Sequence, residues 1–157
     1  MTVFDLQPKA CMNHLLLKPT FDDFLFLEGD VVTFNRFHTD GQLQKAFYDE
    51  APEDSYSRWR DVREHFFGII RGKHSPLHFK IILSLPGDQT SHFLKDHDLP
   101  WRPNEVQGLY LNFLYDGSLL KCTTGTSMNT FTLDKRLDHE WDTYVQKMFG
   151  RTPEILL

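Results

Sequence analysis

The two halves of this chain carry the same landmark residues in the same order. In each half a proline is followed six residues later by a histidine, and a tryptophan precedes a Phe-Gly pair by eight residues. The landmarks are Pro8 with His14, Pro86 with His92, Trp59 with Phe67, and Trp141 with Phe149. Repeated order at this scale indicates an internal duplication, so the chain is expected to fold as two copies of one structural unit.

The hydrophobic patterns predict the same elements in each half. Short apolar or alternating segments predict strands, and apolar residues at helical spacing predict helices. The predicted strands cover residues 2–6, 21–27, 31–38 and 42–48 in the first half and 77–85, 109–115, 118–123 and 129–134 in the second. The predicted helices cover residues 8–17, 59–71, 89–95 and 137–149. Glu28-Gly29 and Asp116-Gly117 are predicted hairpin turns, and each half is therefore predicted to be βαβββα.

The predicted fold class is α+β, with two βαβββα pseudo-repeats at about residues 1–73 and 74–151 inside a single domain, 1–157. A half of fewer than about eighty residues is near the lower limit for an independent core, so we expect the halves to share one. The pseudo-repeats should share one mainly antiparallel sheet, or two joined sheets, with the helices packed on one face. The element order is analogous to that of the DNA sliding clamps and of the TATA-binding protein saddle, an analogy of fold alone.

Composition and charge exclude several classes of protein. The net charge of −5 leaves no overall basic field to hold nucleic acid. The two cysteines, Cys11 and Cys122, are far apart and form no Cys-x-x-Cys motif, which favours reduced thiols in the cytoplasm. No stretch approaches the roughly 20 apolar residues of a membrane span, and no signal-peptide pattern is present. We therefore expect a cytoplasmic protein without a membrane partner.

Four segments of the chain resemble a known family. They are FDDFLFLEG at 21–29, VQGLYLNF at 106–113, CTTGTS at 122–127 and TFTLDK at 130–135. Together they resemble an uncharacterised bacterial family of cytoplasmic proteins catalogued only as a domain of unknown function. The resemblance covers most of the chain and implies a bacterial, single-domain protein. It brings no catalytic residue, cofactor or ligand with it.

Eight histidines suggest a metal site, but their spacing does not support one. His74 and His78 are four residues apart with Pro76 between them, which prevents a regular helix from aligning both, and no His-Glu-x-x-His motif occurs. We predict no metal, and no cofactor either, because phosphate loops and dinucleotide fingerprints are missing. Cys122, next to threonines, is a candidate nucleophile or part of an anion-binding turn; ordinary threonine-rich sheet is the alternative.

Residues 58–80 form a basic segment in an otherwise acidic chain. Arg58, Arg60 and Arg63 lie on the water-facing side of the helix predicted over residues 59–71, where they are candidate contacts for phosphates or an acidic partner. The alternative is a solvated helix face whose arginines pair with the acidic loop 49–54.

Trp101 and Arg102 lie in the longest predicted irregular connection, residues 98–107. A tryptophan next to an arginine in such a loop is a candidate for stacking on a ligand or anchoring a partner. The alternative is a lid that folds back over the sheet. Trp59 and Trp141, on the apolar faces of predicted helices, are expected in the core.

The leading functional hypothesis is a non-enzymatic binding or adaptor module that uses the sheet face or the seam between the pseudo-repeats. Strand 31–38, which includes Arg36, alternates polar and apolar residues, so an open sheet face would be only partly apolar. One alternative is a small enzyme or small-ligand binder with a pocket at the seam that uses His38, Cys122 or His92. Another is nucleic-acid contact through the basic segment. No residue pattern identifies the partner or ligand.

Overall fold

The chain forms four helices and one six-stranded sheet. The computed structural model describes all residues, 1–157. In chain order the elements are β1 (Val3–Leu6), α1 (Pro8–Leu16), β2 (Leu25–Val32), β3 (Arg36–Asp40), α2 (Trp59–Ile70), β4 (His78–Ser84), α3 (Gly87–Asp96), β5 (Val106–Tyr115), β6 (Leu120–Met128) and α4 (Arg136–Gly150). The strand order across the sheet is β1-β6-β5-β4-β2-β3, and every neighbouring pair is antiparallel. The predicted α+β class with a shared, mainly antiparallel sheet is confirmed.

The fourth strand predicted in each half is wrong. Residues 42–48 contribute only an isolated bridge between Gln42 and Tyr56, followed by a short 3-10 turn. Residues 129–134 form no strand, because Phe131 and Leu133 are 90% and 80% exposed and have no apolar surface to pack on. Each half therefore has the order βαββα instead of βαβββα.

The order of elements repeats, but the pairing of the strands does not. In the second half β4, β5 and β6 are adjacent, whereas β1 is separated from β2 by three strands and pairs with β6 at the far edge of the sheet. The landmark histidines also differ, because His14 is buried and His92 is exposed. The sheet therefore does not confirm the pseudo-repeats or the clamp and saddle analogies, and the duplication stays a prediction.

The first predicted hairpin turn is also wrong, whereas the second is confirmed. β2 runs straight through Glu28 and Gly29, and the chain reverses at residues 33–35. Gly29 is needed inside the strand because a Cβ there would overlap the ring of Phe66 on α2. In the second half Asp116 does form the turn: its Oδ1 accepts the backbone N–H groups of the two residues at 118 and 119.

One face of the sheet carries the core. Along β5, Leu109, Leu111 and Phe113 are fully buried, while the alternating residues Tyr110 and Asn112 point to the opposite face and are half-exposed. The buried apolar residues of all four helices belong to the same hydrophobic cluster of 29 residues as these strand positions. The helices therefore cover one face of the sheet, and the other face is left open.

The two helix tryptophans lie in this core, as predicted. Trp59 and Trp141 are both fully buried, and each satisfies its indole N–H with a backbone carbonyl. The Trp59 Nε1 donates to the Leu15 oxygen at 2.7 Å, and the Trp141 Nε1 donates to the Tyr110 oxygen at 3.0 Å. Each tryptophan thereby fixes its helix to a neighbouring element through a hydrogen bond that is shielded from water.

We predict opposite effects on stability for alanine at two glycines. A Cβ at Gly41 would overlap the backbone carbonyl of Phe26, and backbone cannot rotate away, so Gly41→Ala should lower the free energy of unfolding by about 2–3 kcal/mol. Gly68 lies inside α2 with nothing within 4 Å of its Cβ position, so Gly68→Ala should raise it by about 0.5–1 kcal/mol. Urea unfolding of both variants measures these changes. Equal stabilities would contradict the packing described at Gly41.

Candidate functional site

The arginines predicted to bind phosphates are neutralised by the protein's own carboxylates. Each of the three pairs with a different aspartate: Arg58 with Asp54 at 3.2 Å, Arg63 with Asp22 at 2.7 Å, and Arg60 with Asp23. Only the Arg58 pair uses the acidic loop 49–54; the other two partners lie between α1 and β2. The three guanidinium groups therefore stabilise the packing of α2 and leave little unpaired charge for a phosphate.

Trp101 folds back onto the protein. Its ring packs against the hydrophobic cluster, and the Arg136 guanidinium lies 5.8 Å from the ring centroid. Arg102 is exposed and has no carboxylate partner. The Trp101 ring is therefore partly buried by the chain's own residues, and the lid over the sheet stays a prediction.

Cys122 lies in the core and is not placed to act as a nucleophile. Its side chain is fully buried on the helix-covered face of β6, and this burial raises the thiol pKa, with the nearby Cys11 adding to the effect. Burial likewise raises the pKa of Cys11 to about 12. Both cysteines are free thiols that stay protonated at neutral pH, so neither supplies a thiolate.

Arg36 and His38 meet on the open face around a residue that the sequence did not single out. Asp30 on β2 is only 5% exposed, and it accepts hydrogen bonds from Arg36 Nε at 3.1 Å and Arg36 Nη2 at 2.7 Å. His38 Nδ1 lies 3.4 Å from the same carboxylate. Hydrogen bonding from Arg36 holds the pKa of Asp30 below its usual value, although burial opposes the shift. Asp30 was missed because the sequence pattern placed it in the turn that was wrongly predicted between residues 27 and 31.

An apolar cavity lies at one corner of the fold, beside the end of the predicted basic segment. It has a volume of about 530 Å³ and lies between the tip of the β2–β3 hairpin and the carboxyl end of α2. The hairpin contributes Phe34 and Phe37, and the helix and the segment after it contribute Ile69 and Leu77. We call this the hairpin–helix cavity. It is lined by residues 33–34, 37, 68–75 and 77.

Basic side chains surround the hairpin–helix cavity, and acidic ones do not. Arg71, Lys73 and His74 line it together with no aspartate or glutamate, and none of the three forms an ion pair. Their position just after α2 is favourable because the carboxyl end of a helix carries partial negative charge. A second cavity of about 360 Å³ between α1 and α2 shares Arg71, also has no acidic residue, and adds Lys9. This corner is thus basic in a chain of net charge −5.

A buried hydroxyl without a partner also lines the hairpin–helix cavity. The Thr33 Oγ1 is shielded from solvent and makes no hydrogen bond, and it is the one buried side-chain polar atom of the protein in this state. A buried hydroxyl without a partner costs roughly 1–3 kcal/mol.

The sequence contained part of the signal for this site. The basic segment 58–80 was recognised, but its parts differ: the arginines at 58, 60 and 63 are paired, and Arg71, Lys73 and His74 are not. His92 and the other histidines do not converge, and no group of three or more His, Cys, Asp or Glu side chains is placed to hold a metal ion.

These features define an α+β protein with a six-stranded antiparallel sheet covered by helices on one face. The chain belongs to a family of unknown function, DUF5721, whose model matches residues 14–155. The family resemblance seen in the sequence is thereby confirmed. No curated protein and no solved structure matches the chain. None of its helices is both long and apolar enough to cross a membrane.

Asp30 should make stability depend on pH. Its folded-state pKa is lowered, so its contribution is present above the ordinary aspartate pKa of about 3.9 and is lost as the pH falls through the folded value. We expect Asp30→Asn to lower the free energy of unfolding at pH 7, and the difference from the original protein to shrink as the pH falls below the ordinary aspartate value. Urea unfolding between pH 2 and pH 7 measures this, with the exposed Asp5→Asn as the control. A difference that stays constant with pH would contradict the assignment.

Proposed function

We propose that this protein is a non-enzymatic binding module that holds an apolar group with an anionic substituent in the hairpin–helix cavity. The observation that carries the proposal is the grouping of Arg71, Lys73 and His74, without any carboxylate, around an apolar cavity. The cavity also lies where the first half of the chain runs into the second, near residues 73 and 74. We therefore take this corner, and not the sheet face, as the binding site.

The size and lining of the cavity support a ligand with an apolar body. Its volume falls within the range of about 300–1,000 Å³ usual for small-molecule sites. Phe34 is 84% exposed and Leu77 is 66% exposed, so both have apolar surface that a ligand can cover. Each 100 Å² of apolar surface removed from water contributes roughly 2.5 kcal/mol.

The basic lining supports an anionic substituent on that ligand. Arg71 and Lys73 have no carboxylate to compete with an incoming anion, so an anion gains their full interaction without breaking an existing ion pair. Apolar contact and charge therefore act on the same ligand.

The arrangement of candidate catalytic groups favours binding over catalysis. His38 lies on the open face of the sheet, Cys122 is buried on the opposite face, and His92 is exposed on α3, so the three do not converge. The hairpin–helix cavity contains no carboxylate or thiol that would serve as a general base or nucleophile beside His74. The free thiols Cys11 and Cys122 support the cytoplasmic location that we propose for the protein.

The open sheet face is a second candidate for a protein-binding surface. Leu114 is 46% exposed near its centre, with the half-buried Ile82 close by on the same face. Ion pairs flank this apolar centre, Lys121 with Asp5 on one side and Lys80 with Glu28 on the other. An apolar centre with a polar rim is typical of protein interfaces. The hairpin–helix cavity is preferred because its cations are unpaired, whereas those of the open face are already satisfied.

A pair of matched fluorescent probes tests the proposal. 8-Anilinonaphthalene-1-sulfonate has an apolar body and an anion, and N-phenyl-1-naphthylamine has the same rings without the anion. We expect the double variant Arg71→Gln with Lys73→Gln to weaken binding of the sulfonate about tenfold, or ~1.4 kcal/mol, and to leave binding of the neutral probe unchanged. Fluorescence titration gives both dissociation constants.

The control for that experiment removes two cations elsewhere on the surface. Arg102→Gln with Lys147→Gln changes the net charge by the same amount at exposed positions outside the hairpin–helix cavity. It should leave the affinity for the sulfonate close to that of the original protein. Equal weakening by both double variants would show a general charge effect and would remove the cavity as the site.

A further inference from the structure

The two edge strands of the sheet, β1 and β3, differ in whether another segment of the chain pairs with them. At the β1 edge the carboxyl-terminal segment adds backbone hydrogen bonds: Gln7 N–H donates to the Ile155 oxygen at 2.7 Å, and Leu157 N–H donates to the Asp5 oxygen at 3.1 Å. At the β3 edge no segment does this, and four of the five residues of β3 are exposed. The sheet therefore has one covered edge and one uncovered edge.

The hydrogen bonds of the hairpin show which backbone groups of β3 point outward. Gly41 N–H donates to the Leu27 oxygen at 2.9 Å, so the odd-numbered residues at this end of the strand face β2. Backbone groups alternate in direction along a strand, so those of Arg36, His38 and Asp40 face away from the sheet. No backbone hydrogen bond outside the strand reaches these three residues. They present three N–H groups and three carbonyls to solvent.

The charged side chains of β3 do not project along this edge. Edge strands commonly avoid pairing with other chains by projecting charged side chains along the edge. Here Arg36 and His38 instead lie over the open face, where both contact the Asp30 carboxylate on β2. The buried Asp30 thus keeps the outer backbone of β3 accessible.

The edge and the hairpin–helix cavity are continuous. Phe37 belongs to β3 and also lines the cavity, and it pairs with Val31 on the face covered by α2. A strand added alongside β3 would direct its alternate side chains to that same face, next to Phe37. One of those side chains would reach the cavity, whose rim is formed by Arg71 and Lys73.

From these observations we propose that β3 takes an extended segment of a partner protein as a seventh strand, with an apolar side chain of the segment in the hairpin–helix cavity and an acidic residue facing Arg71 and Lys73. This inference rests on the proposed function and names the class of ligand that the cavity accepts. An extended peptide fits better than a free small molecule because only a peptide also satisfies the outward N–H and carbonyl groups of β3.

A display library of random heptapeptides is the probe for this proposal. We expect selection on the intact protein to enrich segments that combine β-branched or aromatic residues with aspartate or glutamate. The most enriched heptapeptide is then synthesised and titrated against two variants of one residue. His38→Pro removes an outward N–H and breaks no bond to β2, and proline is tolerated at such edge positions. His38→Ala removes the imidazole and keeps the N–H.

The two variants separate backbone pairing from side-chain contact. His38→Pro should weaken binding of the heptapeptide by about tenfold or more, whereas His38→Ala should keep it within about threefold. If His38→Pro is poorly folded, amide hydrogen exchange on the original protein replaces it. Bound heptapeptide should then slow exchange at Arg36, His38 and Asp40, which have no partner in the free protein.

The same variants distinguish failure of this inference from failure of the proposed function. His38→Pro should bind 8-anilinonaphthalene-1-sulfonate as the original protein does, because that probe needs the cavity and not the edge. One pair of results would overturn the seventh strand and leave the proposed function standing. In that case Arg71→Gln with Lys73→Gln would lose sulfonate binding, while His38→Pro and His38→Ala would bind the heptapeptide equally. Absence of any enriched heptapeptide would overturn it too. A dimer in sedimentation that His38→Pro converts to monomer would assign the edge to a second copy instead.

Discussion

The one-sided burial of the sheet determines the rest of the structure. On the central strand β4, Phe79, Ile81 and Leu83 are fully buried under the helices, and the residues between them must face the other way because side chains alternate. A shift of one residue in any pairing would exchange the two sets, placing Lys80 in the core. The alternation therefore fixes the register of the strands, and with it the position of every helix.

The same constraint explains why one hairpin was predictable and the other was not. Asp116-Gly117 forms its turn with local bonds, since the Asp116 carboxylate caps N–H groups two and three residues ahead, and Gly117 adopts a φ of 96°. Glu28-Gly29 has the same local pattern but lies inside β2, because the ring of Phe66 packs over Gly29. That contact joins residues from two distant elements, so no short sequence pattern reveals it.

The sequence showed the charged residues of α2 but not all of their partners, for a related reason. The sequence showed Arg60 and Arg63 on a helix face, yet their aspartate partners lie 37 and 41 residues earlier in the chain. Such pairs become visible only after the fold has placed the segment before β2 beside α2. Arg71 and Lys73 follow the end of the helix, beyond the reach of those aspartates. The candidate site is therefore formed by the cations that the fold leaves without partners, which a count of basic residues does not separate from the paired ones.

The exposed β3 edge and the unpaired cations occur at the same corner, and this is physically consistent with one binding surface. An uncovered edge strand exposes a protein to unwanted pairing, which is limited here because β3 has only five residues. Covering it with the chain's own residues, as the carboxyl-terminal segment covers β1, would also bury the rim of the hairpin–helix cavity. Asp30 holds Arg36 and His38 over the open face, so their charges neither block the edge nor compete with Arg71 for an anion. Leaving β3 open is thus the arrangement that keeps backbone groups, apolar cavity and free cations accessible to one extended ligand.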